Sequence, residues 1–143
     1  MTRAEKIKRL KKECDKLWSQ AVRMRDGACI LCGKREGLAA HHWIHSRARS
    51  LAHRHDVRNG VTLCFADHIY KVHTDATAAT MEELTKAAMQ RGIVTAQELV
   101  EIENDNSIAK FTLEDYERIK EYLQDYIERL DPNFYAVGGS NND

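Results

Sequence analysis

The chain has 143 residues, of which 43% are hydrophobic and 31% are charged, a composition typical of one compact globular domain. No apolar run approaches the roughly 18 residues that a membrane span needs, and no apolar stretch follows the basic N-terminus. We therefore expect a cytoplasmic protein without membrane association, in which four cysteines indicate metal ligation or free thiols rather than disulfides. The net charge of zero is unevenly divided, because residues 1–58 carry a net +9 and residues 59–143 a net −9. A polyanion would be attracted to the first half and repelled by the second.

The first predicted element is a long helix over residues 3–25. Thr2 and Glu5 have the spacing of a capping box, and Asp26-Gly27 is a typical helix end. The helix has one basic face and one apolar stripe with spacings of three and four residues. The stripe, in which Cys14 is predicted to be a core residue, consists of Ile7, Leu10, Cys14, Leu17, Ala21 and Met24.

Short strands are predicted next at Ala39–Ile44 and Val61–Cys64, followed by a helix at Ala66–Val72. Three more helices are indicated by a threonine with an acidic residue three positions later, and the last of these ends near Leu130 before Asp131-Pro132. The three pairs are Thr80/Glu83, Thr95/Glu98 and Thr112/Asp115. We expect these acidic helices to pack on the basic helix 3–25 or to mediate a dimer.

Three cysteines have the spacing of a zinc site. Cys29 and Cys32 are separated by two residues and followed by Gly33, which suits a tight metal-binding turn. Cys64 lies 32 residues after Cys32 and supplies a third thiolate. Two candidates remain for the fourth ligand, Asp67 and His68.

All seven histidines lie between His41 and His73, interleaved with these cysteines. His41 and His42 are adjacent on a predicted strand, so their side chains point to opposite faces. One imidazole of such a pair can bind a metal ion while the other faces solvent as a base, provided that the strand is twisted or distorted.

The ordered set resembles the HNH endonucleases, a family with a ββα-metal fold that includes phage recombination endonuclease VII. The resemblance covers about residues 20–75, beginning with the Arg25-Asp26-Gly27 approach to Cys29. The residues that carry it are Cys29 and Cys32, His41-His42, Asn59-Gly60-Val61-Thr62-Leu63-Cys64, His68 and His73.

The resemblance implies a role for each matching residue. His42 would be the general base that takes a proton from water, and Asn59 would hold the adjacent loop and help to orient the His42 ring. His41, His68 and His73 would hold one catalytic divalent ion (Mg²⁺, Mn²⁺, Ni²⁺ or Zn²⁺), of which magnesium suits imidazole ligands least. Cys29, Cys32, Cys64 and Asp67 would hold a structural Zn²⁺.

Two features depart from the family pattern. Asp67 stands where a fourth cysteine is common, and His68 and His73 are five residues apart rather than four. Positions i and i+5 differ by about 140° on a regular helix, so both histidines reach one ion only if the helix ends or bulges between them. The competing assignment gives His68 to the zinc; we favour His68 on the catalytic ion because Asn59 then keeps its usual nine-residue spacing.

The segment between the two predicted strands is basic. Arg47, Arg49 and Arg54 are predicted to contact DNA phosphates without reading bases, and His45 is a possible additional phosphate contact. The basic helix 3–25 either lies along the DNA backbone or packs over the small zinc module.

We therefore predict an α+β, mostly helical protein: a zinc-stapled ββα-metal module flanked by a long N-terminal helix and C-terminal helices. The predicted division is a basic helix (1–26), a nuclease module (27–76), an acidic helical region (77–131) and a flexible tail (132–143). The predicted function is a metal-dependent DNA endonuclease, phage-derived and therefore acting in a host cytoplasm. The alternative is a non-catalytic zinc module that binds DNA or protein, as a homodimer or within a phage recombination or packaging complex.

Overall fold

A computed structural model describes residues 1–46, 51–65, 78–107 and 109–135. Within these ranges the protein is a mostly helical α+β structure, which confirms the predicted fold class. The predicted helix at Ala66–Val72 lies outside the described residues. The elements are α1 (Arg3–Asp26), β1 (Leu38–His42), a 3₁₀ turn (Val57–Asn59), β2 (Gly60–Cys64), α2 (Ala78–Gln90), α3 (Ala96–Asn104) and α4 (Leu113–Leu130).

Helix α1 has the ends that its sequence predicts. The Thr2 hydroxyl accepts a hydrogen bond from the Glu5 backbone N–H, and the Glu5 carboxylate accepts one from the Thr2 N–H. At the other end Gly27 takes φ = 68°, a left-handed conformation that glycine adopts without steric cost. Cys14 is fully buried, as its place on the apolar stripe predicts.

Two of the three later caps are confirmed and one is wrong. Thr95 and Thr112 form complete capping boxes with Glu98 and Asp115 at the starts of α3 and α4. Thr80 instead lies inside α2, which begins at residue 78. A threonine followed three residues later by glutamate therefore occurs here within a helix, where the pattern has no capping role.

Strands β1 and β2 form a two-stranded antiparallel hairpin. His42 pairs with Gly60 and His41 pairs with Val61, so the two adjacent histidines lie on opposite faces. Helix α1 covers the face that contains Gly60 and Thr62, because the Thr62 hydroxyl donates a hydrogen bond to the Val22 carbonyl. Strand β1 begins one residue earlier and ends two residues earlier than predicted, and β2 begins one residue earlier.

The approach between α1 and β2 requires a glycine. A Cβ atom at Gly60 would lie 2.5 Å from a Val22 methyl carbon and 2.7 Å from the Trp18 ring. Contacts this short do not occur between real side chains, so the absence of a side chain at Gly60 lets Trp18 lie directly over the hairpin.

The apolar interior has two parts. One lies between the hairpin, the Cys29 turn and helices α2 and α3, and includes Leu63, Leu84 and Ile102. The other lies between α1 and α4, and includes Trp18 and Leu123. The predicted tail begins with a turn at residues 132–135 whose Phe134 and Tyr135 pack against this second part; residues 136–143 lie outside the described ranges.

Helix α4 packs along α1, as expected for one acidic helix against the basic one. Two ion pairs join their outer faces: Arg3 with Glu114 at 2.7 Å, and Lys120 with Glu13 at 2.9 Å. Exposed pairs of this kind contribute little, so the apolar stripe between the helices provides most of the stabilisation. Among the described helices none is both long and apolar enough to cross a membrane.

Candidate metal centre and histidine site

The three predicted thiol ligands lie together. The sulfur atoms of Cys29, Cys32 and Cys64 all lie within 4.8 Å of one another, and those of Cys32 and Cys64 are 3.8 Å apart. Two Zn–S bonds of about 2.3 Å that meet at the tetrahedral angle place their sulfurs about 3.8 Å apart. The cluster could therefore hold a metal ion such as zinc.

The backbone around Cys29 explains why the sulfurs converge. Gly33 takes φ = 79° and donates its N–H to the Cys29 carbonyl at 2.8 Å, which closes the turn. The Cys29 N–H is bonded to the Lys34 carbonyl at 2.9 Å, and the Ile30 N–H to the Thr62 carbonyl at 3.0 Å. The last bond fixes the turn beside β2, the strand that ends in Cys64.

The Cys29 thiol of the cluster differs electrostatically from the core thiol of Cys14. Burial alone would raise the pKa of Cys29, but hydrogen bonds from the backbone N–H groups of Cys64, Cys32 and Leu31 lower that pKa to about 7. Desolvation raises the pKa of Cys14 to about 12. A thiol with a pKa near neutrality becomes a thiolate ligand readily, whereas Cys14 stays protonated.

The paired histidines occupy different surroundings. His41 and His42 are both half-buried, on opposite faces of β1. The His42 ring stacks on Trp18 of α1, with ring centroids 3.8 Å apart and planes inclined by 8°. Its Nε2 lies 2.9 Å from the Arg54 carbonyl oxygen.

This hydrogen bond determines the tautomer of His42. A carbonyl oxygen only accepts, so Nε2 must carry the proton, and in the neutral ring the lone pair lies on Nδ1. Burial disfavours the imidazolium and lowers the pKa of His42 below its usual value, although the hydrogen bond to the Arg54 carbonyl opposes the shift. The ring is therefore mostly neutral at neutral pH, with Nδ1 as a proton acceptor.

Asn59 is completely buried and bonded on both ends of its amide. Its Oδ1 accepts from the backbone N–H groups of Ile44 and His45, each at 2.9 Å. Its Nδ2 donates to the carbonyls of His45 and His53 at 2.8 and 3.0 Å. Asn59 thus holds both ends of the β1–β2 connection. The His53 carbonyl that it binds is one residue before the Arg54 carbonyl that contacts His42.

Arg54 has a different environment from the one the sequence suggests. Its guanidinium forms two hydrogen bonds with Asp15 of α1, at 2.8 and 2.7 Å, and its side chain is only 11% exposed. The same carboxylate accepts a hydrogen bond from His55 Nε2 at 2.7 Å. The Nε and Nη2 donors of Arg54 are therefore engaged by Asp15 rather than free for a phosphate.

The side chains of two further histidines join the β1–β2 connection to the C-terminal end of α3. His45 is buried and its Nε2 contacts the Ile102 carbonyl near the end of α3, so it is not exposed for a phosphate contact. His53 lies between two carboxylates, with Nδ1 3.2 Å from Asp56 and Nε2 2.8 Å from Asp105. The hydrogen bond from His53 contributes to lowering the pKa of Asp105 to about 2, after those from Ser107.

Several predicted site residues lie outside the described ranges. The candidate ligands Asp67, His68 and His73 are among them, and so are the candidate phosphate contacts Arg47 and Arg49. The choice between Asp67 and His68 as the fourth zinc ligand therefore stays a prediction.

Sequence reasoning missed the contribution of α1 to this site. Trp18 and Asp15 were not singled out, and Arg25 only as part of the approach to Cys29. Arg25 donates to the carbonyls of Val57 and Gly60, each at 2.7 Å, and so joins the end of α1 to the hairpin. The one available signal was a tryptophan next to the apolar stripe, which predicts burial but not the partner.

Comparison of the chain with protein-family models, curated proteins and solved structures finds no match.

Proposed function

We propose that this protein is a metal-dependent DNA endonuclease in which His42 is the general base. The observation that carries the proposal is the hydrogen bond from His42 Nε2 to the Arg54 carbonyl. It leaves the Nδ1 lone pair as the proton acceptor on a mostly neutral ring. The next residue along β1 is His41, an imidazole of metal-ligand type on the opposite face of the strand.

In the proposed reaction a water molecule attacks the phosphorus of a DNA phosphodiester. His42 Nδ1 takes one proton from this water as its oxygen forms the new P–O bond. The bond from phosphorus to the 3′ oxygen breaks, and the leaving oxygen gains a proton from solvent. A divalent ion held by His41, His68 and His73 would stabilise the negative charge that develops on the phosphate oxygens.

The thiol cluster would have a structural role in this enzyme. Zinc bound by Cys29, Cys32 and Cys64, with Asp67 or His68 as the fourth ligand, would join the Cys29 turn to the end of β2. Such a crosslink suits a hairpin of two five-residue strands, which is too small to be stable alone.

The direct test is cleavage of plasmid, single-stranded and branched DNA by purified full-length protein with added Mg²⁺, Mn²⁺, Ni²⁺ or Zn²⁺. We expect cleavage with at least one metal and its loss in His42→Ala, by a factor of about 100 to 10,000 for a general base. Zinc content and helical signal should stay at wild-type levels in the variant, so that lost activity is not lost folding. Absence of cleavage under all these conditions would refute the proposal.

A surface variant provides the matched control. Gln97→Ala lies on the exposed surface of α3, away from the basic helix, and a preparation purified in parallel should keep wild-type activity. Equal cleavage by His42→Ala and Gln97→Ala would point to a contaminating nuclease or to another base.

The alternative is a non-catalytic zinc module that binds DNA or protein, as a homodimer or within a phage recombination or packaging complex. It is favoured by the engagement of Arg54 with Asp15 and by the five-residue spacing of His68 and His73. Metal analysis separates the two functions: one tightly bound zinc with no second, exchangeable ion would favour the module.

A further inference from the structure

Helix α1 meets the β1–β2 connection next to the proposed base. Asp15 and Trp18 are three residues apart and therefore lie on one face of α1. That face contacts the segment 53–56, which contains the carbonyl that accepts the His42 hydrogen bond.

Asp15 binds two consecutive residues of this segment. Its two carboxylate oxygens accept the parallel hydrogen bonds from the Arg54 guanidinium, and Oδ1 also accepts from His55 Nε2. Paired N–H donors from arginine fix a carboxylate in orientation as well as in distance. The His55 side chain is 4% exposed and that of Arg54 is 11% exposed, so water competes little for these bonds.

Trp18 binds the same region in two ways. Its ring face covers His42, and its Nε1–H donates to the Asp56 carbonyl at 2.9 Å. Its ring also lies against Gly60, the residue that pairs with His42 across the hairpin. Trp18 thus contacts His42 directly and also holds Asp56, at the end of the segment 53–56. Arg54, the second residue of that segment, provides the carbonyl that orients His42.

Four consecutive residues are consequently anchored. The His53 carbonyl accepts from Asn59, the Arg54 and His55 side chains bind Asp15, and the Asp56 carbonyl accepts from Trp18. The Arg54 carbonyl lies in the middle of this segment. A segment fixed at every residue holds that oxygen at a constant position.

We propose that Asp15 and Trp18 are positioning residues that fix the ring plane and the tautomer of His42, so that the N-terminal helix is part of the catalytic centre. This inference rests on the proposed function of His42 as a base. Trp18 sets the ring plane by stacking, and Asp15 sets the tautomer by holding the Arg54 carbonyl against Nε2.

A merely structural role would have a different consequence. Loss of a packing or ion-pair contact lowers stability, but the molecules that remain folded keep the same His42 tautomer. Loss of positioning instead lets the Arg54 carbonyl move in the folded protein, so that water competes for Nε2 and both tautomers become populated.

The test compares two isosteric variants of α1. Asp15→Asn removes the charge and one of the two oxygen acceptors, so Arg54 can no longer form its paired hydrogen bonds. Glu13→Gln makes the same chemical change two residues away, in an ion pair with Lys120 that faces α4 rather than the hairpin. Both variants should keep the fold and the zinc.

The first readout is the ¹⁵N chemical shifts of the His42 ring in zinc-loaded full-length protein, at about pH 8 where imidazoles are neutral. Wild type and Glu13→Gln should show one protonated Nε2 and one unprotonated Nδ1. Asp15→Asn should show the two shifts moving towards each other as the tautomers mix. Wild-type shifts in Asp15→Asn would overturn the proposal.

The second readout is the division of the kinetic effect between kcat and KM. Asp15→Asn should lower kcat by about 10-fold to 100-fold with little change in KM, because outer partners act on orientation and not on DNA affinity. Glu13→Gln should keep wild-type kcat. A change in KM alone, or equal losses in both variants, would contradict positioning.

Variants of Trp18 keep the inference testable even if Asp15→Asn folds poorly. Trp18→Phe retains an aromatic face for His42, whereas Trp18→Leu retains only bulk. We expect the phenylalanine to restore most of the kcat that the leucine loses, and equal kcat in both would refute a role for stacking. A wild-type protein that cleaves no DNA would refute the nuclease, but the ring shifts would still decide whether α1 orients His42.

Discussion

The amide of Asn59 offers the sharpest test of how the site is held together. The variant Asn59→Ala leaves three backbone groups without the partner they have here: the N–H groups of Ile44 and His45, and the His45 carbonyl. The His53 carbonyl keeps a hydrogen bond from the Asp56 N–H. A buried polar group left unpaired costs about 1–3 kcal/mol. Because water can enter the space of the lost amide, we take the lower end for each group and expect a loss of about 3 kcal/mol.

The assay is urea unfolding of zinc-loaded protein, compared with the exposed asparagine variant Asn106→Ala. A domain of this size has a total stability of about 5–15 kcal/mol, so Asn59→Ala should lower the midpoint strongly at an unchanged slope. Asn106→Ala should stay within about 0.5 kcal/mol of wild type. A loss below about 1 kcal/mol in Asn59→Ala would show that these hydrogen bonds do not hold the connection.

A second variant at the same position tests the direction of the hydrogen bonds. Asn59→Asp keeps an acceptor for the two N–H groups but turns a carboxylate oxygen towards two carbonyls. Burial and this repulsion should raise the folded-state pKa of the new carboxyl above its unfolded value of about 3.9. The protonated form is then the stabilising one, so the variant should lose stability relative to wild type as the pH rises through that raised pKa.

The remaining predictions concern the hairpin, the Asp15 pair and the thiols. Gly60→Ala should destabilise the protein by about 1–3 kcal/mol in urea unfolding, because its Cβ would displace Trp18, and wild-type stability would contradict the close approach. Hydrogen bonds from Arg54 and His55 outweigh burial and hold the pKa of Asp15 well below its usual value, so its contribution is present above about pH 4 and is lost as the pH falls further. The stability difference between wild type and Asp15→Asn should therefore shrink in acid, and a difference that grows would refute this assignment. Cys64→Ser should release the zinc and lower the thermal midpoint, whereas Cys14→Ser should keep one zinc per chain by metal analysis.

Sequence patterns predicted the parts of the structure that depend on near neighbours. The hydrogen bonds of a capping box and of a terminal glycine join residues no more than four positions apart, so both ends of α1 could be predicted from the sequence alone. The opposite orientation of His41 and His42 follows from the two-residue period of a strand. The cysteine cluster was predictable because two thiolates that bind one metal ion in a tight turn are typically two residues apart, as Cys29 and Cys32 are. Of the other two cysteines, Cys14 lies on the apolar stripe of α1, which leaves Cys64 at the end of a strand as the third ligand.

Contacts between distant residues were not predictable in the same way. Asp15 and Arg54 are 39 residues apart, and a sequence shows that Arg54 is charged but not which partner neutralises it. The sequence therefore predicts DNA phosphates as the partner of Arg54. Thr80 shows the opposite failure, in which a local pattern of the right form lies inside a helix, because Ala78 already belongs to α2.

The contacts of α1 also bear on where the functional unit begins. The sequence suggests a boundary near residue 26, between a basic helix and a nuclease module. Yet Thr62 bonds both to the Val22 carbonyl and to the Asp26 carboxylate, and Arg25 bonds to both ends of the segment Val57–Gly60. A hairpin separated from α1 would lose these bonds and expose the face on which His42 lies. The smallest piece that could present His42 in one tautomer therefore includes α1, so the proposed base and the cysteine cluster would depend on the same packed unit of α1 and hairpin.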